Sequence, residues 1–268
     1  MLNGVYVVED SSIQVIVGCC GFPVSRRKYY SVYRLVELQN TFYNLPSIDW
    51  AERLADEKPE GFIITMKAWQ VITHPSKSPT WRKLRTRPSG ILENYGFLKP
   101  TSENYRAWDK TLEVAGALKA RAIVLQTPSS LPFDNESIKW VREFFKNIAS
   151  VTPRDIVVGW EPRGAWAAEE ARDVLRSILG EYRITHIVDP FRRKPVYIHG
   201  ILYYRLHGIG KGETNYRYKY SDGDLLKLAD MILETGFRTV YVLFNNVYMF
   251  QDGQRFREIA LNKGLKTI

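Results

Sequence analysis

The sequence predicts one (β/α)8 barrel of the TIM type spanning residues 1–268, and three observations predict it. Eight short apolar runs rich in β-branched residues recur along the chain, with helical periodicity in most of the gaps between them. The length of 268 residues is what a single barrel of this kind needs. Nearly every apolar run ends in a polar residue, as expected where barrel strands meet their active face. A doubly wound open sheet is the alternative, but no Gly-x-Gly-x-x-Gly follows the first run, which removes its commonest dinucleotide-binding form.

The elements follow in order. Val15 to Phe22 is the first strand, separated by only a short turn from the second, Leu35 to Tyr43, along which Glu37, Gln39, Thr41 and Tyr43 alternate onto one face. Ser47 to Lys58 reads as a helix and Gly61 to Lys67 as the third strand. Residues 68–101 form a loop too long to be a mere connection; with Pro75, Pro79, Pro88 and Pro100 it reads as a flexible basic lid, with Tyr95 to Leu98 as a docking point. Helices at Ser102 to Lys119, Glu136 to Ser150 and Ala165 to Leu179 alternate with strands at Ala122 to Pro128, Ile156 to Glu161 and Thr185 to Asp189. Pro195 makes Phe191 to His199 a turn rather than a helix. Leu202 to Gly208, a helix from Asp222 to Glu234 capped by Ser221, Thr239 to Asn246 and a last helix from Asp252 to Lys263 complete the pattern.

Composition excludes several classes. With 45% hydrophobic and 25% charged residues the chain is not disordered. Its two cysteines, Cys19 and Cys20, are neighbours that rarely bridge, which points to free thiols in a reducing cytoplasm. No run approaches the roughly 20 apolar residues of a membrane span, and Glu9 and Asp10 stand where a signal peptide would be apolar. The net charge of +9 points to an anionic or phosphorylated partner. Oligomeric state is not legible.

The strand ends supply the catalytic candidates: Glu37, Lys67, Glu161, Arg163, Asp189, Arg205, His207 and Asn245, the last chosen over its neighbour Asn246 because only one of two adjacent residues faces inward. Charges buried there must pair with one another, so a structural ion-pair reading stands beside the catalytic one. Glu37, Glu161, Asp189 and His207 offer oxygen ligands and one imidazole, a set suited to Mg²⁺ or Mn²⁺, with Lys67, Arg163 and Arg205 clamping a phosphate. No short metal motif such as His-x-x-x-His accompanies them. Without metal, Glu161 serves as general base and His207 as acid. Paired carboxylates also admit a glycosidase.

Charge placement supplies the binding candidates. The four strand-to-helix loops 24–30, 68–101, 191–199 and 208–220 hold 15 of the 38 basic residues but only two of the 29 acidic ones. Arg82, Lys83, Arg85 and Arg87 in the long loop, with Lys211, Tyr216, Arg217 and Tyr218 after the seventh strand, mix cations with flat rings, as single-stranded nucleic acid binding does. The combined expectation is a hydrolase of phosphate esters, nuclease-like, at the C-terminal mouth of the barrel. A non-catalytic module binding nucleic acid or another polyanion is the alternative.

Five ordered segments carry a resemblance: Val36-Glu37-Leu38-Gln39-Asn40-Thr41-Phe42-Tyr43; Lys67-Ala68 with Ile72-Thr73-His74; Glu161-x-Arg163 with Trp166; Tyr204-Arg205-Leu206-His207-Gly208 with Tyr220-Ser221-Asp222; and Phe244-Asn245-Asn246. Over nearly its whole length the chain resembles the YecE-like family, a domain of unknown function. The resemblance implies a TIM-type barrel whose shared polar residues converge at one mouth, and it implies no settled activity. The chain departs from the family pattern at Cys19, Cys20 and Phe22, where Thr, Ser and Trp are expected, at Gln39 for Asn, and at Gly164 for His. The entry from Ser25 to Tyr30 is shortened, and the change at Gly164 removes the second histidine of any two-histidine mechanism.

Overall fold

A computed structural model describes residues 13–268; Glu9 and Asp10 lie outside them. Eight parallel strands form a nearly closed barrel: β1 (Gln14–Cys20), β2 (Leu35–Leu38), β3 (Ile63–Lys67), β4 (Ala122–Gln126), β5 (Val157–Glu161), β6 (Thr185–His186), β7 (Leu202–Leu206) and β8 (Thr239–Phe244). A short β9 (Lys266–Thr267) adds to the start of β1, beside which β2 has not yet begun. The hydrogen-bonded order runs from β6 down to β1 and on through β8 to β7. Between β6 and β7 the ring closes through one parallel bridge, Val188 to Tyr204.

Helices α1 (Arg26–Tyr30), α2 (Asn40–Tyr43), α3 (Ile48–Glu57), α4 (Gln70–Thr73), α5 (Ser102–Ala117), α6 (Asn135–Val151), α7 (Arg172–Tyr182), α8 (Asp222–Thr235) and α9 (Met249–Asn262) lie between the strands. Side-chain oxygens start several of them: Thr101 accepts from Asn104 N, Asp134 from Ser137 N and Ser221 from Asp224 N. Among the described residues no helix is long and apolar enough to cross a membrane.

Two cores result from strand alternation. Inward-facing Ile16, Cys20, Leu35, Ala122, Val124, Ile187, Ile201, Tyr203, Tyr241 and Leu243 fill the barrel. The opposite faces, such as Val15, Val17, Val36, Ile64 and Met66, pack against the helices in a larger cluster. The barrel is drawn tight at Gly18, where an added Cβ would lie 2.2 Å from Leu35 O across the β1–β2 pairing.

Three expectations need correction. The second strand ends at Leu38, so Gln39, Thr41 and Tyr43 do not share a strand face with Glu37. Gln39 turns into the helical region, and Thr41 Oγ1 ties α2 down by donating to Leu38 O and Lys67 O, with Phe42 buried behind it. Residues 68–101 are folded rather than a free lid: within the segment Gly96, Phe97 and Leu98 donate backbone N–H groups to Val71, Thr73 and Ile72, and Val71, Ile72, Tyr95 and Leu98 are buried in the outer core, as the docking point at Tyr95 to Leu98 requires. The helix expected from Ala165 is replaced by two 3₁₀ turns, Gly164–Ala167 and Glu169–Ala171, because Ala168 between them is extended; α7 begins only at Arg172.

Replacing Gly18 by Ala forces two strand backbones apart and is expected to destabilise by about 1–3 kcal/mol, read as a lower denaturant midpoint; an unchanged midpoint would show that the β1–β2 spacing is not limiting.

Candidate functional site

The inward row of each strand that fills the barrel with apolar groups ends, at the C-terminal mouth, in charge. Glu37, Lys67, Glu161 and Arg205 come from β2, β3, β5 and β7, and all are buried. Arg205 lies between the two carboxylates: Nη2 donates to Glu37 Oε1 at 2.8 Å and Nη1 to Glu161 Oε2. Nη1 also reaches Gln126 Oε1 at 3.2 Å. Arg163 donates through Nε and Nη2 to Glu161 Oε1, at 3.1 and 2.9 Å. Tyr203 OH donates to Glu37 Oε2 at 2.8 Å and stands 2.7 Å from Thr65 Oγ1.

Electrostatics follow from this geometry. Burial alone would raise the Glu161 carboxyl, but the Arg205 and Arg163 guanidiniums override it and hold the group well below the usual carboxylate range. An acid so firmly ionised is a weak proton acceptor, so the general-base role expected of Glu161 passes to holding the two arginines. Burial opposes the charge on Arg205, yet Glu161 and Glu37 hold it protonated. Burial, then Arg205, pushes Lys67 down to about 7. Burial pushes the Cys20 thiol well up, with Glu37 adding to it; both cysteines are free.

His207 and Asp189 sit beside this cluster. Asp189 is held by the backbone N–H groups of His207 and Phe191, at 3.0 and 3.1 Å, and by Arg192 Nε at 3.6 Å. The His207 ring stands 3.8 Å from Asp189 on one side and 3.8 Å from Glu161 on the other, and its buried Nε2 has no hydrogen-bond partner among the described residues. The metal set expected from Glu37, Glu161, Asp189 and His207 does not form: the positive charge between Glu37 and Glu161 is the Arg205 guanidinium, and no cluster of three or more His, Cys, Asp or Glu among the described residues is arranged to hold an ion. The phosphate clamp expected of Arg163 and Arg205 is likewise committed to carboxylates. Asn245 is half-buried just past β8, with its backbone N–H on Leu206 O. The buried asparagine is Asn246, whose amide goes to Tyr218 O and Asp252 rather than to the cluster.

Above Cys20 and Gln39 opens a cavity of about 1020 Å³ at the ends of β1 and β2. These two residues join it to the cluster, Cys20 through a 3.5 Å contact to Glu37 and Gln39 through its bonds to Glu37 and Arg205. Lys83 and Arg85 reach over its rim, positioned by Asn44, which donates to Lys83 O at 2.9 Å and accepts from Arg85 N at 2.7 Å. Arg87 lines a smaller neighbouring cavity; Arg82, Lys211 and Arg217 are exposed and line neither. Tyr216 is exposed, its ring 6.2 Å from that of His207, whereas Tyr218 is tied to Asp224 and packs on Tyr220. Gln39, Gln126 and Tyr203 complete the cluster; Gln39 was legible as one of the alternating polar residues of the second run and Gln126 as a polar group near the end of the fourth, while Tyr203 reads in the sequence as one more core aromatic.

The family model described as protein of unknown function DUF72 matches residues 25–260. The chain belongs to the DUF72 family. A DUF72 protein of Enterococcus faecalis V583 superposes with a TM-score of 0.68 at 18% identity, covering 94% of this chain and 98% of the other. A DUF72 protein of Thermotoga maritima MSB8 does so at 0.64 and 21%, covering 92% and 98%. A xylose isomerase domain-containing protein of Salmonella typhimurium LT2 matches at 0.56 and 16%, over 95% and 97%. No curated protein matches. At these identities the likeness establishes the barrel of this DUF72 chain and leaves its chemistry to its own residues.

Arg205→Met leaves two buried carboxylates without their shared cation and is expected to destabilise by about 3–5 kcal/mol in thermal or denaturant melts. Lys67→Met should act oppositely, stabilising by up to about 4 kcal/mol at neutral pH because it removes a buried group with no counterion. Since the folded lysine titrates at about 7 and the unfolded one at its ordinary 10.5, that gain should be full below pH 7 and fade as pH rises towards 10.5; a gain constant across this range would show that Lys67 is not the cause.

Proposed function

We propose that this chain, YecE-like within its family, is an enzyme acting on a phosphate-bearing substrate seated in the cavity above β1 and β2. The observation that carries the reading is the lining of that cavity: Arg26, Lys83 and Arg85 supply cations, Phe22, Tyr43 and Trp50 supply aromatic faces, and none of the lining residues is Asp or Glu. Arg26 shares its charge with Glu57 at 2.7 Å, so Lys83 and Arg85 are the stronger attraction for an anion. Hydrolysis of a phosphate ester at this mouth is the reaction class the sequence favours. With Arg205 lodged between Glu37 and Glu161, the proton transfers fall to side chains, His207 first among them because its buried Nε2 is uncommitted.

A second reading is a polyanion-binding module in the cytoplasm, where Cys19 and Cys20 stay reduced. It is favoured by the smaller cavity of about 510 Å³, which shares Asn44, Leu45 and Arg85 with the first and adds Trp69, Arg87 and Lys110. Together the two offer a basic track with aromatic faces, long enough for a short single strand.

Labelled single-stranded DNA, duplex DNA and RNA, together with nitrophenyl phosphate mono- and diesters, incubated with Mg²⁺, with Mn²⁺ or with chelator, test both readings. The enzyme reading expects turnover that survives chelator and is lost in His207→Asn. The binding reading expects salt-sensitive retention without turnover. In either case K83A/R85A should weaken retention about tenfold and flatten its salt dependence by one to two phosphate contacts; retention unchanged in this double variant, with no phosphate ester turned over, would overturn both.

A further inference from the structure

The buried cluster at the barrel mouth is charge-matched except at one position. Glu37 is paired with Arg205, Glu161 with Arg205 and Arg163, and Asp189 with Arg192. Lys67 makes no ion pair among the described residues. Its Nζ donates to one acceptor, Gln126 Oε1 at 3.0 Å, and otherwise lies 4.0 Å from the centre of the Phe42 ring. The residue is 6% exposed. A lysine buried beside a guanidinium and denied a counterion is driven towards its neutral amine, which carries a free lone pair.

We propose that Lys67 is a nucleophile that forms a Schiff base with an aldehyde or ketone substrate at the barrel mouth. The inference does not depend on the substrate carrying phosphate. The amine nitrogen attacks the carbonyl carbon and the carbonyl π bond breaks. One amine proton passes to the oxygen, giving a carbinolamine. A second proton, from solvent, converts that hydroxyl into the water that leaves, and the nitrogen lone pair forms the C=N bond of a protonated imine.

The surroundings of Lys67 suit that product. A protonated imine keeps a single N–H, and Gln126 provides a single acceptor for it. Gln126 Oε1 is fixed in place because its other partner, Arg205 Nη1, is also a donor. The imine retains the positive charge, and the Phe42 face is placed to stabilise a cation that no carboxylate neutralises. The residues around the amine that reach solvent are Gln126, half-buried, and Arg163, whose side chain is 16% exposed, so a substrate has to enter past these two side chains. Burial, with Arg205 next, brings the amine to about 7, so a large fraction is neutral at physiological pH. Cys20, the other nucleophile at the mouth, is held as a thiol by burial and by Glu37.

Reductive trapping tests the proposal. The full chain is incubated at pH 7 with glyceraldehyde or glyceraldehyde 3-phosphate and cyanoborohydride, and the modified lysines are mapped by peptide mass spectrometry. Lys67 should be labelled at least tenfold faster than Lys119, whose side chain is 67% exposed, and the preference should vanish in urea. Lys67→Arg should remove that adduct while the surface lysines still react. Should that variant not fold, the wild-type pH profile decides. Arg205 and Arg163 lower the Lys67 pKa, Glu37 and Glu161 raise it, and His74 lies nearby, so its labelling should be half-maximal near 7; a Lys67 profile with no inflection between about pH 6 and 8 would overturn the proposal. Labelling by both probes supports the nucleophile and removes phosphate as a requirement; labelling by the phosphate alone supports both readings. Labelling confined to surface lysines overturns the proposal, and phosphate-ester binding to the cavity is then judged by its own assay.

Discussion

One guanidinium, 1% exposed, organises the mouth of this barrel. Arg205 cannot shed its charge, and in the interior that charge is tolerable only with both Glu37 and Glu161 against it. The pairing therefore joins three strands, β2, β5 and β7, from nearly opposite sides of the ring. It also decides what the neighbours do. Glu161 is kept ionised and unreactive, Gln126 is turned so that its oxygen faces inward, and Gln39 is drawn from the cavity floor onto Glu37. Lys67 is the residue left without an opposite charge once these pairs are formed.

Much of the fold was legible because alternation and strand-end polarity express the same constraint. A side chain that points inward at the last strand position meets the mouth, so Glu37, Lys67, Glu161 and Arg205 announced both their strands and their shared location. What sequence periodicity cannot carry is where tertiary contacts override it. Gln39 to Tyr43 alternates like a strand, yet Thr41 bonding to Lys67 O and Phe42 packing beneath the lysine make it a helical turn. The prolines of 68–101 suggested a loose loop, but its apolar residues Val71, Ile72, Tyr95 and Leu98 are buried in the outer core.

The site was legible in its members and not in its pairing. Spacing put Glu37, Glu161, Asp189 and His207 at one end of the barrel, and four such groups suggest an ion. Whether an ion or an arginine occupies the space between two carboxylates depends on the length and rotamer of a side chain arriving from β7, which no pattern in one dimension records. Tyr203 was missed for the same reason: an aromatic in a buried strand carries no sign that its hydroxyl ends on a carboxylate. Asn246 shows the converse, a polar strand-end residue whose amide serves the wall, where it joins Tyr218 and Asp252.

The closure of the ring has a mechanical consequence. Parting β1 from β8 would break a register six residues long, whereas between β6 and β7 the link is Val188, which donates to Tyr203 O at 3.4 Å and accepts from Arg205 N at 3.0 Å. Local opening is cheapest where the fewest backbone bonds hold a structure together, so the ring has a thin link and a predetermined place to part. The backbone of Arg205 belongs to that link while its side chain grips Glu161 on β5, beyond the link, and Glu37 on β2, across the bore. The arginine thus works as a tether across the bore, and the compliance of the barrel is set as much by two carboxylates as by its sheet.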